Sequence, residues 1–274
     1  MKIVTVSRQV GSYGDAIAEL VAKKLGLTFI GREGLHELAM TCDPEYSDLC
    51  TDYETEHGPG FFERLFFDRP AHASLFEALT FEQAAQGNVV IVGRGSQHVL
   101  RRIPNVFSAC IAAPFEIRVR RIMERSGTSL DEARDFVRRH DRERSSLMQA
   151  VFGVDAQDWE EFDVILNTAH YAPEGAADTI ASAVRAKIAV EDRNRLQDRL
   201  KFLAMAKRIE TLVRRKMSSA VARRVTIDAD PAGKIIITGR VPEKRDREKI
   251  GQLVSQQPGV TAVDNQLKVT ELTF

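Results

Sequence analysis

The chain has 274 residues, 43% of them hydrophobic and 28% charged, which is enough apolar material for a real core and excludes a disordered or fibrous chain. Its 39 basic and 39 acidic side chains cancel, so any case for nucleic acid or an anionic membrane has to be local. Three cysteines, an odd number with Cys42 and Cys50 too far apart for a zinc knuckle, exclude a disulfide framework and fit a reducing compartment.

The chain opens with Met1-Lys2 and a short apolar run, Ile3–Val6, too brief for a signal-peptide core. The longest nearly uncharged apolar run, Phe107–Phe115, is less than half a membrane span. The expectation is a cytoplasmic protein with no transmembrane segment. Five runs read as strands: Lys2–Val6, Leu27–Ile30, Asn88–Val92, Val106–Ala112 and Phe162–Leu166. They are Val- and Ile-rich and mostly do not alternate, so both faces are expected to be buried, as in a parallel sheet. Helical patterns lie between them. Ile17, Leu20, Val21 and Leu25 share one face, and Gly26 follows as a stop. A second helix begins near Ile117. Thr128–Glu132 reads as a capped start, followed by the stripe Leu130, Ala133, Phe136 and Val137. Ala177, Ile180, Ala181, Val184 and Ile188 predict one more. Strands alternating with helices give an α/β domain over residues 1–190 with right-handed crossovers.

Composition shifts near residue 190. Seven of the eleven residues from Glu191 to Lys201 are charged, which predicts a solvated linking helix over 191–203. The remainder, 204–274, has α+β character. Val225–Ala229 and Lys234–Gly239 flank the turn Asp230-Pro231-Ala232-Gly233, a helix is expected over Glu243–Gln256, and a last strand over Val260–Val269.

Three segments carry candidate chemistry. The first is Ser7-Arg8-Gln9-Val10-Gly11-Ser12-Tyr13-Gly14-Asp15, a glycine-containing turn between strand one and a helix. Glycines let backbone amides approach a phosphate, and a helix amino end favours negative charge. A standard phosphate loop also needs a lysine and a Ser/Thr, which neither Gly14-Asp15 nor Asp15-Ala16 supplies. Phosphate cradle and plain tight turn both remain open. The second comprises Gly93-Arg94-Gly95-Ser96 and Gly31-Arg32-Glu33, each directly after a strand, where open α/β sheets bind ligands. Arg94 and Arg32 suit an anionic substrate there, or are turn arginines. The third is Glu116–Arg144, with nine arginines among seven carboxylates. Arg138, Arg139, Arg142 and Arg144 at its end could grip phosphate with planar, bidentate forks, or form ordinary helix ion pairs. The acidic stretch Thr41–Gly60, which includes Asp43, Glu45, Asp48, Asp52, Glu54 and Glu56, reads as solvated. His36-Glu37 lacks the second histidine of a zinc helix, and the histidines show no ligand spacing, so no protein metal site is expected.

Taken in order, several of these motifs resemble the cytidylate kinase-like family. They are Ser7-Arg8, Gly11-Ser12-x-Gly14, Gly31-Arg32-Glu33, Val89–Gly95, Arg118-Val119-x-Arg121-Ile122-Met123, Asp141-x-x-Arg144 and Phe162-Asp163-x-x-Leu166-Asn167-Thr168. The resemblance covers about residues 1–190. It implies a five-stranded parallel P-loop kinase sheet in order 2-3-1-4-5, and phosphoryl transfer from ATP, with magnesium, to a nucleoside monophosphate such as CMP. The implied roles put nucleotide binding on Gly11, Ser12, Tyr13, Gly14 and Asp15. Catalysis falls to Arg8 with the lid arginines Arg138, Arg142 and Arg144, and acceptor binding to Arg32 and Arg94. Family members usually read Ser-Arg-Glu-x-Gly-Ser-Gly-Gly-Arg at the loop, where this chain has Gln9, Tyr13 and Asp15. A nucleotide-binding regulator without catalysis is therefore the alternative reading. Residues of about 204–271, ending in Gly259-Val260-x-x-Val263-x-Asn265-x-Leu267, resemble a BON domain, which implies homo-oligomer or ligand contacts.

Overall fold

The computed structural model describes residues 1–47, 70–187 and 193–270. Asp48, Asp52, Glu54 and Glu56 of the acidic stretch, and Glu191-Asp192 of the expected linker, lie outside the described residues. The chain forms two compact units, Met1–Leu38 with Gln86–Asp192, and Ala39–Ala85 with Arg193–Phe274. In chain order the elements begin with β1 (Ile3–Arg8), α1 (Gly14–Leu25), β2 (Thr28–Ile30), α2 (Arg32–Cys42), α3 (Pro70–Gln86), β3 (Val89–Val92) and α4 (Ser96–Leu100). There follow β4 (Val106–Ala112), α5 (Phe115–Ser126), α6 (Leu130–Phe152), β5 (Val164–Asn167) and α7 (Pro173–Lys187). The last elements are α8 (Arg193–Lys216), α9 (Ser219–Ala222), β6 (Val225–Ala229), β7 (Ile235–Val241), α10 (Lys244–Ser255), β8 (Val263–Asn265) and β9 (Lys268–Val269). Among the described residues no helix is long and apolar enough to cross a membrane.

In the first unit the five strands are parallel, in the order β2-β3-β1-β4-β5. β1 is central, with Ile3 opposite both Val89 and Val106. Its residues Ile3, Val4, Thr5, Val6 and Ser7 are all buried, as the non-alternating composition predicts. β1 runs two residues further than its apolar run, because Ser7 and Arg8 pair with Cys110 and Ile111. β5 starts later than expected, at Val164, after the Asp163 amide bonds the Ser108 carbonyl. Ile17, Val21, Val90, Phe107, Ile111 and Ile180 join one apolar core. Ser129 caps α6 through a complete capping box with Glu132, satisfying two otherwise orphaned amides. α6 then packs on α5 through Val119, Ile122, Ala133 and Val137.

In the second unit α3 and α8 are tied by Lys207–Glu77 at 2.8 Å and by Arg208–Glu82 at 2.7 and 2.9 Å. The helix expected as a solvated linker is helical from Arg193 onward, but it is not solvated: Leu196 and Leu200 are buried. Its apolar stripe was masked by the surrounding charges. β6 and β7 form the expected hairpin, with Asp230 accepting from the Ala232 and Lys234 amides in the turn. The single strand expected over Val260–Val269 is instead two. β8 pairs with Ile235–Ile237 and β9 with Arg240 and Val241. Gly239 separates the two pairings, with φ 126° and a backbone so close to Arg224 that a Cβ would lie 1.9 Å from its carbonyl oxygen. Ile209, Val213, Ile227, Ile237, Ile250 and Val254 form this unit's core.

Candidate active site

The loop after β1 is held from several sides. The Gln9 amide bonds the Ile111 carbonyl at 3.0 Å, and Gln9 Oε1 accepts from the Ala113 amide at 3.1 Å. Ser12 Oγ turns back onto the Gln9 carbonyl at 2.7 Å. Tyr13 enters α1 in the left-handed region, φ 64°. No side chain caps this helix end, and the amides of Tyr13, Gly14 and Asp15 find no acceptor among the described residues. Open amides at a helix amino end, beyond the carboxyl end of a central strand, form a receptor for an anion. Asp15 does not fill it. Its carboxylate is largely exposed and lies 3.0 Å from both Nε and Nη2 of Arg8.

Arginines fix the loop from outside. Arg118 is buried and donates to the Ala113 carbonyl at 3.0 Å and to the Val10 carbonyl at 3.4 Å. It also holds Asp141 of α6 in a two-pronged pair at 3.0 and 2.8 Å. Arg121 reaches the Gly11 carbonyl at 3.2 Å and the Thr168 hydroxyl and carbonyl at 3.0 and 2.7 Å, with Tyr13's ring 4.1 Å away. Thr168 Oγ1 lies 3.0 Å from the Ser12 carbonyl. With Asp141 anchored, α6 brings Arg144 to the end of β1, where Nη1 donates to Ser7 Oγ at 3.1 Å. The buried Cys110 thiol, opposite Ser7 in the sheet, is pushed up in pKa by burial and pulled the other way by Arg144.

The other expected residues fall into two groups. Arg32 opens α2 after β2, and Arg94 follows β3, buried and with φ 55°. With Arg8 they occupy the carboxyl ends of three neighbouring strands. Arg138 and Arg142 are not brought to the loop. Arg138 lies 3.8 Å from Asp135 and over the Phe115 ring, while Arg142 Nε donates to the Arg138 carbonyl at 3.3 Å. Arg118, Arg121 and Thr168 were not foreseen as site residues, although each stands in a motif quoted above. Among the described residues no group of three or more His, Cys, Asp or Glu could hold a metal. Magnesium carried on nucleotide phosphates needs only one or two protein oxygens, and the unshared Oδ2 of Asp15 is a hard donor of that kind.

A parallel sheet in this order, with a strand–loop–helix turn at its central strand, is the fold of the phosphate-loop kinases. The sequence model of the cytidylate kinase-like family matches residues 3–170, and that of the BON domain matches residues 206–271. The chain belongs to the cytidylate kinase-like family and carries a C-terminal BON domain. It is 26% identical to a cytidylate kinase of Ignicoccus hospitalis, over 66% of this chain and 97% of that one. With a cytidylate kinase of Pyrobaculum aerophilum it shares 28% identity, over 64% and 89%. A crystal structure of an uncharacterized protein from Eubacterium ventriosum superimposes with a TM-score of 0.53 at 20% identity, covering 68% of this chain and 99% of that one.

Proposed function

We propose that the protein transfers the γ-phosphoryl group of ATP to a nucleoside monophosphate, with CMP the preferred acceptor. The observation that carries this reading is the set of amides of Tyr13, Gly14 and Asp15 that find no acceptor among the described residues, flanked by Arg8 and with Arg144 held at Ser7. An acceptor phosphate oxygen attacks the γ-phosphorus, the bond to the β-phosphate oxygen breaks, and ADP and a nucleoside diphosphate leave. A phosphate monoester is already mostly dianionic at pH 7, with a second pKa of about 6. The reaction therefore needs no general base. It needs positioning and charge neutralisation, which arginines and open amides supply.

In this reading Gly11, Ser12, Tyr13, Gly14 and Asp15 cradle the donor phosphates. Arg8 and Arg144 neutralise charge, and Arg32 and Arg94 receive the acceptor. Arg138 and Arg142 act only when α6 closes as a lid and excludes water. Magnesium, bound with ATP, would neutralise further phosphate charge, and Asp15 Oδ2 is the oxygen the loop offers it. The catalytic residues are assigned to the segment 1–190, of which 39–85 pack in one unit with residues 193 onward, and the BON-like part at 204–274 serves oligomer or ligand contacts, in a cytoplasmic protein. The test is ADP release from MgATP with each nucleoside monophosphate in turn. Fastest turnover with CMP is expected, and no turnover with any of them would overturn the proposal in favour of a non-catalytic nucleotide-binding regulator.

A further inference from the structure

A standard phosphate loop reads Gly-x-x-x-x-Gly-Lys-Ser/Thr, with the first glycine leaving the strand and the lysine at the start of the helix. Here Arg8 is the last residue of β1 and Gly14 the first of α1. That register sets Arg8 on the first glycine, Tyr13 on the second, Gly14 on the lysine and Asp15 on the Ser/Thr. The cation and a glycine have changed places.

The geometry says why the two changes must come together. A Cβ built on Gly14 would lie 2.3 Å from Arg8 Cβ and 2.6 Å from Arg8 Cγ. Real side chains never pack so closely, and neither atom is the yielding end of a flexible chain. Position 8 or position 14 can carry a side chain, but not both. The arginine is also steered. Nε and Nη2 are occupied by Asp15 Oδ1, each at 3.0 Å. Nη1 has no partner among the described residues and passes so close to Gly93 that a Cβ there would lie 2.4 Å from it. Gly14 and Gly93 thus both leave the space that the Arg8 side chain occupies, and Asp15 holds one edge of its guanidinium.

Resting on the kinase reading above, we infer that Arg8 does the work of the missing lysine. One edge of its guanidinium is fixed by Asp15, and the Nη1 edge is presented to the β- and γ-phosphates of the donor. Asp15 is a positioning residue, and Gly14 and Gly93 clear the path. A guanidinium suits the task because it stays charged and can give two parallel bonds to one phosphate.

The test uses the full chain and the variants Arg8→Gly, Arg8→Lys and Arg8→Gly/Gly14→Lys, the last returning the glycine and the cation to their ordinary positions. ATP affinity is read by calorimetry, turnover by ADP release with CMP, and folding by thermal melts. Loss of one transition-state donor typically costs about 100- to 1,000-fold in rate, and that is the loss expected for Arg8→Gly. The double variant should recover at least a tenfold share of it, and Arg8→Lys should fall between. If wild type binds and turns over ATP and a folded Arg8→Gly does so equally well, the exchange is wrong while the kinase reading stands. A folded double variant no better than Arg8→Gly also overturns it. If wild type binds ATP without turnover, the kinase reading falls and the exchange is decided on ATP affinity alone. If wild type binds no ATP at millimolar concentration, both fall.

Discussion

Thr211 Oγ1 of α8 donates to Ser74 Oγ of α3 at 3.0 Å, and the serine hydroxyl in turn donates to the Ala71 carbonyl at 3.0 Å. Both hydroxyls are buried, and the two residues are 137 positions apart. Helix α3 is thus built into the unit that contains the BON domain, although it lies inside the segment matched by the kinase-like family.

Deleting residues 193–274 should therefore do more than remove a module. It strips Ser74, Glu77 and Glu82 of their partners on α8. The shortened chain should aggregate or melt far below the full-length protein. A truncated chain that melts like the full one would show that α3 holds without α8.

Glu210 is the electrostatic centre of the same unit, with its side chain 1% exposed. It accepts from the Ile227 amide at 2.8 Å, lies 3.1 Å from Lys207 Nζ and pairs with Arg214. Removing one partner from a buried pair typically costs about 3–5 kcal/mol, because the other charges stay buried. Glu210→Ala should lower stability by that order, measured by urea unfolding. A loss under about 1 kcal/mol would mean that the cluster is hydrated.

The same cluster gives a pH dependence. Burial disfavours the charged form of Lys207, yet Glu210 and Glu77 outweigh it and hold its pKa above the ordinary 10.5. A raised lysine stabilises fully below its unfolded pKa, and that contribution disappears as pH rises through the folded value. Wild-type stability should hold up to about pH 10 and decline beyond it, whereas Lys207→Met should decline less over that interval. Parallel urea midpoints from pH 8 to 11.5 would check this, and equal slopes would count against it.

The strands were legible because uninterrupted Val/Ile runs have only one comfortable place, between two layers of helix. The motif arginines were legible because they follow strand ends. Helix α3 was not, since Leu75, Phe76, Ala78, Leu79 and Phe81 are all buried, leaving no single apolar stripe to read. Nor were the roles of Arg118 and Arg121. Arg118 meets a partner 23 residues away and two backbone carbonyls, none of which a local charge pattern reveals.

Arg118→Ala should act on both stability and turnover. It frees Asp141, the anchor through which α6 presents Arg144 to Ser7. We expect a clear drop in melting temperature together with at least a 30-fold loss of turnover. Arg144→Ala should lose turnover by about 30- to 1,000-fold, the range for a desolvated phosphate contact, with the melting temperature nearly unchanged. Arg144→Ala with wild-type turnover would leave Arg144 a structural tie to Ser7.

Tyr13 is a balance of small terms. Its left-handed backbone costs about 1–2 kcal/mol relative to glycine, while the ring facing Arg121 returns about 0.5–1 kcal/mol. Tyr13→Gly should therefore unfold within about 1 kcal/mol of wild type. A loss of several kcal/mol would mean the ring braces Arg121 far more than cation–π attraction alone provides.

The shared packing of α3 and α8 also sets an order of events on the ribosome. Helix α3 leaves the exit tunnel about a hundred residues before α8, roughly 5–20 s at ordinary elongation rates. Through that interval Ser74, Glu77 and Glu82 lack the α8 partners that hold them in the finished fold. Strands β3, β4 and β5 are made meanwhile, so the sheet strands are complete while α3 still waits for its partner. Slow elongation or an early stop before residue 193 would thus leave a nascent chain whose unpaired hydroxyl and carboxylates lie in its middle rather than at its end.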